Sequence, residues 1–358
     1  MVLIKKMQVP GYEQVVEGID ESSGLHCFVA IHNTSLGPAL GGVRIYPYNS
    51  SQDALNDVLR LAKGMTYKSA VITNGLGGGK SVIIADPHKE KSKALLYAFA
   101  EVLNALEGKY IAAEDVGSSI EDMNVLHEKT HYVAASASKN SSGDPSRFTA
   151  WGVYRGLQAV AKKLWGERSL DGKTIAIQGL GNVGAKLADI LFWEGAELIL
   201  TDKDEHKLQE LSWLYGARAV APANIMDIPC DIFCPCALGA ILNEETIPQL
   251  RCFAIAGAAN NQLRVPEDGV ALLKRNILYA PDYVINSGGI INAAAEYNEG
   301  GYDPKASRDK VDHIFETLSL IFERSEKEHQ STSLIADELA ESHLKNLVGK
   351  RTTPIIFH

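Results

Sequence analysis

The chain has few cysteines, few aromatic residues and no excess of basic charge. Its 358 residues include five cysteines, and aromatic residues make up 7%. Five is an odd and modest number for this length, so we expect reduced thiols in the cytoplasm rather than a disulfide framework. Acidic residues number 44 and basic residues 35, which gives a net charge of −9. That sign argues against nucleic acid or an anionic membrane as the main partner.

Long hydrophobic runs are also missing. No apolar stretch approaches the roughly 18 residues that a membrane span needs. Lys5 and Lys6 near the start are not followed by an apolar segment, so we expect no signal peptide. The overall composition, with 46% hydrophobic and 22% charged residues, is that of a globular protein. At about 150 residues per domain, the length predicts two domains.

A polar stretch from Ser136 to Ser146 lacks large apolar side chains and is typical of a linker. It predicts a first domain over residues 1–146 and a second over 147–330. We expect the helices at about 331–358 to pack back onto the first domain.

The pattern before the linker predicts a mixture of strands and helices. Strands are predicted at Leu25–His32, Ala70–Thr73, Ser81–Ala85 and Tyr110–Ala113, and helices from Ser50 to about Lys68 and from Ser92 to Leu106. After the linker, a helix near Thr149–Leu164 precedes an alternation of strands and helices that runs from Lys173 to Val284–Ile285. Such alternation is the pattern of βαβ units on a parallel sheet, so we predict an α/β fold.

A glycine-rich turn marks the second half. Gly179, Gly181 and Gly184 lie between a predicted strand and a predicted helix, an arrangement that suits a pyrophosphate at a helix N-terminus. Asp202 ends the next predicted strand, 23 residues after the first glycine, near the spacing expected for a carboxylate that binds ribose hydroxyls. Since a carboxylate would repel a 2′-phosphate, the pattern favours NAD over NADP.

A second glycine run, Gly75–Ser81, is close to a P-loop but lacks the first glycine, because Asn74 occupies that position. We expect this run to let the backbone pass close to a small ligand, with Lys80 beside it. Lys68, Lys80 and Asp115 all fall at the ends of predicted elements. Because desolvation lowers the pKa of a lysine, either lysine is a candidate base or activator of water.

The three closely spaced cysteines Cys230, Cys234 and Cys236 do not form paired C-x-x-C units, and no histidine follows closely. We therefore expect buried thiols and no metal site.

Several longer motifs occur together and in a fixed order. They are Leu36–Arg44, Leu61–Lys68, Gly77–Lys80, Ala113–Gly117, Gly179–Gly184, Pro235–Gly239, Ala256–Asn261 and Ala280–Gly289. In these stretches the chain resembles the glutamate/leucine/phenylalanine/valine dehydrogenase family, and within it most resembles the leucine dehydrogenases. The resemblance implies an N-terminal α/β domain that binds substrate and builds the oligomer, followed by a Rossmann domain that binds NAD.

The resemblance also implies the chemistry and the residues that perform it. An L-amino acid, NAD and water would give a 2-oxo acid, ammonium and NADH in a reversible reaction. Lys80 matches the catalytic lysine, Asp115 the proton-shuttling carboxylate, and Lys68 the lysine that holds the substrate carboxylate. The other matched substrate-binding residues are Asn261, Leu40, Gly41, Gly42, Met65, Ala113, Ile290 and Ala293. The matched cofactor-binding residues are Gly179, Leu180, Gly181, Asn182, Val183, Gly184, Asp202, Thr149, Ala237 and Asn260.

The matched pocket is apolar, so it favours leucine, isoleucine or valine and disfavours glutamate, whose second carboxylate would stay unpaired. Ile290 and Ala293 stand where leucine dehydrogenases usually carry valines, and Gly79 is shared with phenylalanine dehydrogenases. These departures leave a phenylalanine- or valine-preferring enzyme as an alternative. A second alternative is an NAD-binding regulator without catalysis. The family implies a homo-oligomer, from dimer to octamer, with small-molecule substrates.

Overall fold

The computed structural model describes residues 1–134, 141–237 and 239–357. Residues 136–140 of the predicted linker lie outside the described residues, as do Ala135, Leu238 and His358. Within the described ranges, every helix is too short or too polar to cross a membrane.

The chain divides into two compact units. The first unit comprises Met1–Asp144, Asn292–Ser307 and Ala340–His358, and the second unit comprises Pro145–Ile291 and Arg308–Leu339. The sequence places residues 292–307 in the second domain and 331–339 in the first, so the structure differs from the prediction at these two segments.

Buried polar contacts explain the first difference. Asn292 is completely buried and donates from Nδ2 to the carbonyl oxygen of Ser142 at 3.2 Å. Its Oδ1 accepts from the hydroxyls of Tyr302 and Ser307 at 2.8 and 2.9 Å. Because a buried amide that loses its partners costs free energy, the bond to Ser142 ties the segment to the first unit.

The start of the last helix is tied to the second unit in the same way. The Thr332 hydroxyl donates to the carbonyl oxygen of Tyr279 at 2.6 Å, and the Tyr283 hydroxyl donates to Asp337 at 2.7 Å.

The first unit contains a six-stranded mixed sheet. Its strands are β1 (Leu3–Met7), β2 (Gln14–Asp20), β3 (Leu25–Asn33), β4 (Ala39–Tyr46), β5 (Gly77–Ile84) and β6 (Tyr110–Glu114), in the order β1-β2-β3-β5-β4-β6. Its helices include α1 (Ser51–Val71), α2 (Lys93–Asn104) and α3 (Ile120–His127). Strands β4, β5 and β6 run parallel to one another, so their carboxyl ends meet at one edge of the sheet.

Two predictions for this unit are wrong. The expected strand at Ala70–Thr73 is the end of α1, because Ala70 and Val71 continue the buried face of the helix. The glycines at 77–79 belong to β5 and approach the protein's own backbone rather than an open ligand space. A Cβ added to Gly78 would lie 2.0 Å from the amide nitrogen of Thr66. The glycine therefore lets α1 pack directly on the strand.

The second unit contains a six-stranded parallel sheet. Its strands are β7 (Thr174–Gln178), β8 (Glu197–Thr201), β9 (Arg218–Ala219), β10 (Ile232–Pro235), β11 (Ala254–Ile255) and β12 (Leu278–Tyr279), in the order β12-β11-β10-β7-β8-β9. The other α-helices, of which α9, α10 and α12 lie partly in the first unit, are α4 (Ser146–Trp165), α5 (Asn182–Trp193), α6 (Glu205–Tyr215), α7 (Pro266–Lys274), α8 (Asp282–Ile285), α9 (Gly288–Ala294), α10 (Pro304–Asp312), α11 (Ile314–Glu328) and α12 (Thr332–Lys345). The last three helices confirm the mainly helical C-terminal region.

This strand order is that of a Rossmann fold, so the predicted parallel α/β architecture is confirmed. The order reverses between β7 and β10, and such switch points are where α/β sheets bind ligands. One element differs from the prediction. Val284 and Ile285, which end the predicted alternation, form part of the short helix α8, since the amide of Ile285 bonds to the carbonyl oxygen of Pro281.

Candidate active site

An ion pair in the first unit joins β5 to the turn that follows β6. Lys80 projects from the middle of β5, and Asp115 directly follows β6. The Lys80 Nζ lies 2.6 Å from Asp115 Oδ2, and only 6% of Lys80 is exposed. A lysine this well buried is unusual unless it is paired. The structure thus brings two of the sequence-predicted residues into direct contact.

The pair fits because glycine occupies the neighbouring strand. Gly42 on β4 is the register partner of Ala113. A Cβ added to Gly42 would lie 2.6 Å from the Asp115 Cβ and 3.1 Å from the Lys80 Nζ. Any larger residue would displace the ion pair, which explains glycine at a position where strands usually disfavour it. The Asp115 amide donates to the Ser118 hydroxyl at 2.9 Å, which fixes the turn after the strand.

Arg44, which the sequence analysis did not single out, extends the pair into a network. Its Nε lies 3.3 Å from Asp115 Oδ2, and its Nη1 lies 2.8 Å from Asp57 Oδ2. Asp57 also accepts from the Tyr48 hydroxyl at 2.7 Å and from Arg60 at 2.9 Å. Arg44 ends the motif Leu36–Arg44, but its partners come from distant parts of the chain, so spacing alone could not reveal this role.

The pKa values of the adjacent carboxyls of Asp115 and Glu114 are shifted in opposite directions. Burial by itself would raise the pKa of Asp115, but the positive charges of Lys80 and Arg44 outweigh it, and the pKa is lowered. Burial, with the negative charge of Asp144 next in importance, raises the pKa of Glu114. Asp115 is therefore the member of the two that is more readily ionised.

The expected side-chain pocket residues divide between the two units. Leu40 is fully buried on β4 and pairs in register with Gly78 and with Ile111. Met65 is partly buried on α1, beside the Thr66 that packs on Gly78. Gly41 lies against β5, where an added Cβ would meet the Gly79 carbonyl oxygen at 1.9 Å. Leu40, Gly41, Gly42, Ala113 and Lys80 thus occupy adjacent strands.

The remaining predicted substrate residues lie elsewhere. Lys68 is partly buried in the last turn of α1. Ile290 and Ala293 are both buried and stand one turn apart on α9, so they share a face of that helix. Asn261 is exposed in the second unit and adopts a left-handed backbone with φ of 52°. Asparagine is one of the residues that tolerate this conformation.

The glycine-rich turn of the second unit has the geometry expected of its three glycines. Gly179 ends β7 with φ of 97°, a region that favours glycine. Gly181 caps α5 with open space around it, and a Cβ there would contact nothing within 4 Å. Gly184 packs so tightly that an added Cβ would lie 2.0 Å from the Gly179 carbonyl oxygen. The turn therefore leaves an accessible helix N-terminus, flanked by Asn182 and Val183, which suits an anion.

Asp202 holds the same turn. Its Oδ2 accepts from the amide of Leu180 at 2.5 Å, and its Oδ1 accepts from the amide of Asp204 at 2.9 Å. The carboxylate at the end of β8 is thus placed beside the glycine turn, as the spacing implied.

Three further predicted cofactor residues also lie in the second unit. Ala237 packs against Gly179, with its Cβ 2.7 Å from a Cβ added to that glycine. Asn260 is exposed and accepts from Asn286 at 2.6 Å. Thr149, in the first turn of α4, donates its hydroxyl to the Pro145 carbonyl oxygen at 3.1 Å. Gly179 and Ala237 follow β7 and β10, so they meet at the switch point.

Comparison with known families agrees with both halves of this description. The family model described as Glu/Leu/Phe/Val dehydrogenase, dimerisation domain, matches residues 13–132, and the model for Glutamate/Leucine/Phenylalanine/Valine dehydrogenase matches residues 194–341. The chain belongs to this family. The family resemblance inferred from the motifs is thus confirmed, and the protein is an amino-acid dehydrogenase.

Relatives of this dehydrogenase differ in the substrate that their names give. A leucine dehydrogenase from Bacillus cereus is 48% identical over 96% of this chain and 93% of that protein. A phenylalanine dehydrogenase from Caldalkalibacillus thermarum is 42% identical over 94% of this chain and 92% of that protein. The crystal structure of L-tryptophan dehydrogenase from Nostoc punctiforme matches with a TM-score of 0.81 at 40% identity, covering 94% of this chain and 97% of that one.

Proposed function

We propose that this dehydrogenase catalyses the reversible, NAD-dependent oxidative deamination of branched-chain aliphatic L-amino acids. The products would be a 2-oxo acid, ammonium and NADH. The observation that carries the proposal is the buried Lys80–Asp115 ion pair, with its 2.6 Å separation, on or directly after the strands adjacent to the one that holds the fully buried Leu40. It combines groups able to act on an amino acid's α-carbon with surroundings suited to an aliphatic side chain.

Asp115 and Lys80 divide the acid–base work. Asp115, with its lowered pKa, accepts a proton from the substrate amine and returns protons as water adds to the α-carbon. The Lys80 ammonium stabilises negative charge that develops on the substrate oxygen during water addition. Lys68 supplies a positive charge for the substrate carboxylate. Lys68 lies in the last turn of α1, about one turn after Met65.

The second unit fits a dinucleotide. The open N-terminus of α5 at Gly181 suits the pyrophosphate, and Asp202 suits the ribose hydroxyls and repels a 2′-phosphate. Leucine dehydrogenases of this family use NAD, which supplies the hydride acceptor when bound. Thr149, Ala237 and Asn260 would orient it.

The residues matched to the side-chain pocket are apolar, which supports a preference for leucine, isoleucine and valine. Leu40, Met65, Ile290 and Ala293 offer no charge for a glutamate side chain, and leaving its carboxylate unpaired would cost free energy. Leu40 is a bulky, fully buried side chain that restricts space for an aromatic ring. Higher identity to leucine dehydrogenase, 48% against 42% for phenylalanine dehydrogenase, supports the same choice.

Two observations support a homo-oligomer and a cytoplasmic location. The match of residues 13–132 to a dimerisation domain supports a homo-oligomer built through the first unit. All five cysteines are free thiols, which supports a reducing cytoplasm.

A substrate panel tests the proposal. Purified protein with NAD is supplied separately with L-leucine, L-isoleucine, L-valine, L-phenylalanine, L-tryptophan and L-glutamate, and NADH formation is followed by absorbance. We expect kcat/KM to be highest for the three aliphatic substrates. Higher kcat/KM for an aromatic substrate would overturn the specificity, and inactivity on all six with intact NADH binding would favour a regulator.

A further inference from the structure

Two cysteines face each other at the end of β10, in the sequence Cys234-Pro235-Cys236. Their Sγ atoms are 3.7 Å apart, within hydrogen-bonding distance for sulfur. Cys234 lies on β10, and Cys236 directly follows Pro235, the last residue of that strand. Cys234 is fully buried, whereas Cys236 is partly exposed. The pair thus combines a fully buried residue with a partly exposed one.

The pair is built into the glycine-rich turn. The Cys236 amide donates to the Gln178 carbonyl oxygen at 2.7 Å, which joins the ends of β10 and β7. The Cys236 Cβ lies 3.3 Å from the position of a Cβ added to Gly184, and the next residue, Ala237, packs on Gly179. Cys236 and Ala237 therefore lie next to the third and first glycines of the turn.

The five thiols also differ in reactivity. The hydrogen bond from the Cys234 thiol lowers the pKa of Cys236, although burial acts to raise it. The same hydrogen bond, together with burial, raises the pKa of Cys234. Burial raises the pKa of the remaining thiols, to about 12 for Cys27 and Cys230 and to about 11 for Cys252. Because the thiolate is the reactive form, Cys236 is the thiol best suited to attack an oxidant.

We propose that Cys234 and Cys236 are a reversible oxidation site for hydroperoxides, and that their disulfide weakens dinucleotide binding. The Cys236 thiolate attacks a peroxide oxygen and becomes a sulfenic acid, and the leaving oxygen takes up a proton to become water or an alcohol. The Cys234 sulfur then attacks the Cys236 sulfur and releases a second water. Two thiols are oxidised by two electrons, and one peroxide is reduced.

The effect on binding rests on the proposed NAD site. Formation of the bond brings the sulfurs from 3.7 Å to about 2.05 Å, which pulls Cys236 away from its present position against Gly184. The turn that suits the pyrophosphate must then shift. We expect the Kd for NADH to rise about tenfold, and dithiothreitol to restore it.

The experiment treats the full-length protein with hydrogen peroxide, blocks the remaining thiols with N-ethylmaleimide, and measures peptide masses and NADH binding in parallel. The peptide that holds both cysteines should lose two hydrogens and escape alkylation, while the Kd for NADH rises. Cys236→Ser should form no disulfide and keep its NADH affinity in peroxide. Cys234→Ala should accumulate a sulfenic acid that dimedone traps.

Cys252→Ala is the matched control, because it removes a thiol of the same unit and should respond to peroxide like the unaltered protein. Alkylation of both Cys234 and Cys236 after peroxide treatment would overturn the oxidation site. A disulfide with unchanged Kd would overturn its effect on binding. If the reduced protein fails to bind NADH, the proposed cofactor is wrong, and the peptide masses still decide the oxidation independently.

Discussion

Arg44 lies beside Asp115, with its Nε 3.3 Å from Asp115 Oδ2, while its Nη1 is anchored 2.8 Å from Asp57. The guanidinium thus links the proposed proton acceptor to a carboxylate on α1. Because a cation next to Asp115 favours its ionised form, Arg44 holds the pKa of Asp115 low together with Lys80.

Removing this cation should change the pH dependence of the reaction. In Arg44→Met, the pKa of Asp115 rises, so the carboxylate is ionised only at higher pH. We expect the acidic limb of the kcat/KM profile to move up by about one pH unit. Arg44→Lys should recover part of the shift. Arg60→Met is the control, since Arg60 contacts Asp57 and is exposed. An unmoved limb in Arg44→Met would contradict this role.

The same lowered pKa predicts loss of stability in acid. The pKa of Asp115 is below its unfolded value, so its ionised form stabilises the fold at pH above that value. The contribution disappears as pH falls through the folded-state pKa. Asp115→Asn should therefore narrow the difference in free energy of unfolding between neutral and acidic pH, measured by urea denaturation. An unchanged pH dependence in the variant would contradict the electrostatic assignment.

The Lys80→Ala variant should lose most of its activity but still bind the cofactor. We expect kcat to fall by about 10²–10⁴-fold, the range for a lost acid–base group, while the Kd for NADH stays nearly the same. Lys91→Ala is a matched control, because Lys91 also forms a 2.7 Å ion pair in the first unit, with Asp122. Loss of NADH binding in Lys80→Ala would show that Lys80 has been given the wrong role.

Substitutions at two glycines of the turn should affect the stability of the fold and the binding of NADH separately. Gly184→Ala places a Cβ 2.0 Å from a carbonyl oxygen, so we expect destabilisation of about 1–3 kcal/mol by thermal or urea unfolding. Gly181→Ala meets no atom within 4 Å, so stability should hold. Its methyl group would instead obstruct the dinucleotide and raise the Kd for NADH about tenfold. Equal effects of the two variants on stability would contradict this geometry.

Asp202 should decide between NAD and NADP. Asp202→Ala removes the charge that repels a 2′-phosphate, and the ratio of kcat/KM for NAD to that for NADP should fall. The Kd for NADH should also rise, since the Leu180 amide loses its 2.5 Å partner. Asp204→Ala is the control, because Asp204 caps α6 and should alter stability but leave the ratio unchanged. A preserved ratio in Asp202→Ala would contradict the assignment.

Sequence patterns predicted the second unit better than the first. The strand–turn–helix at Gly179 and the alternation after it are local features, since each parallel strand is a short apolar run. Strand β4 was not predicted, because Leu40-Gly41-Gly42 has neither alternation nor β-branched residues. Likewise, the glycines of β5 favour a loop by propensity, and only the packing of Thr66 on Gly78 makes a strand possible.

The sequence by itself determined the family, the dinucleotide turn and the candidate pair Lys80 and Asp115, because these depend on residue types at fixed local spacings. Tertiary structure alone decided which groups surround that pair. Arg44 and Gly42 reach it from β4, Asp57 on α1 anchors Arg44, and Cys234 lies 3.7 Å from Cys236 at the end of β10. The pKa of a buried carboxyl depends on charges within a few ångströms, and those distances are set by packing between strands.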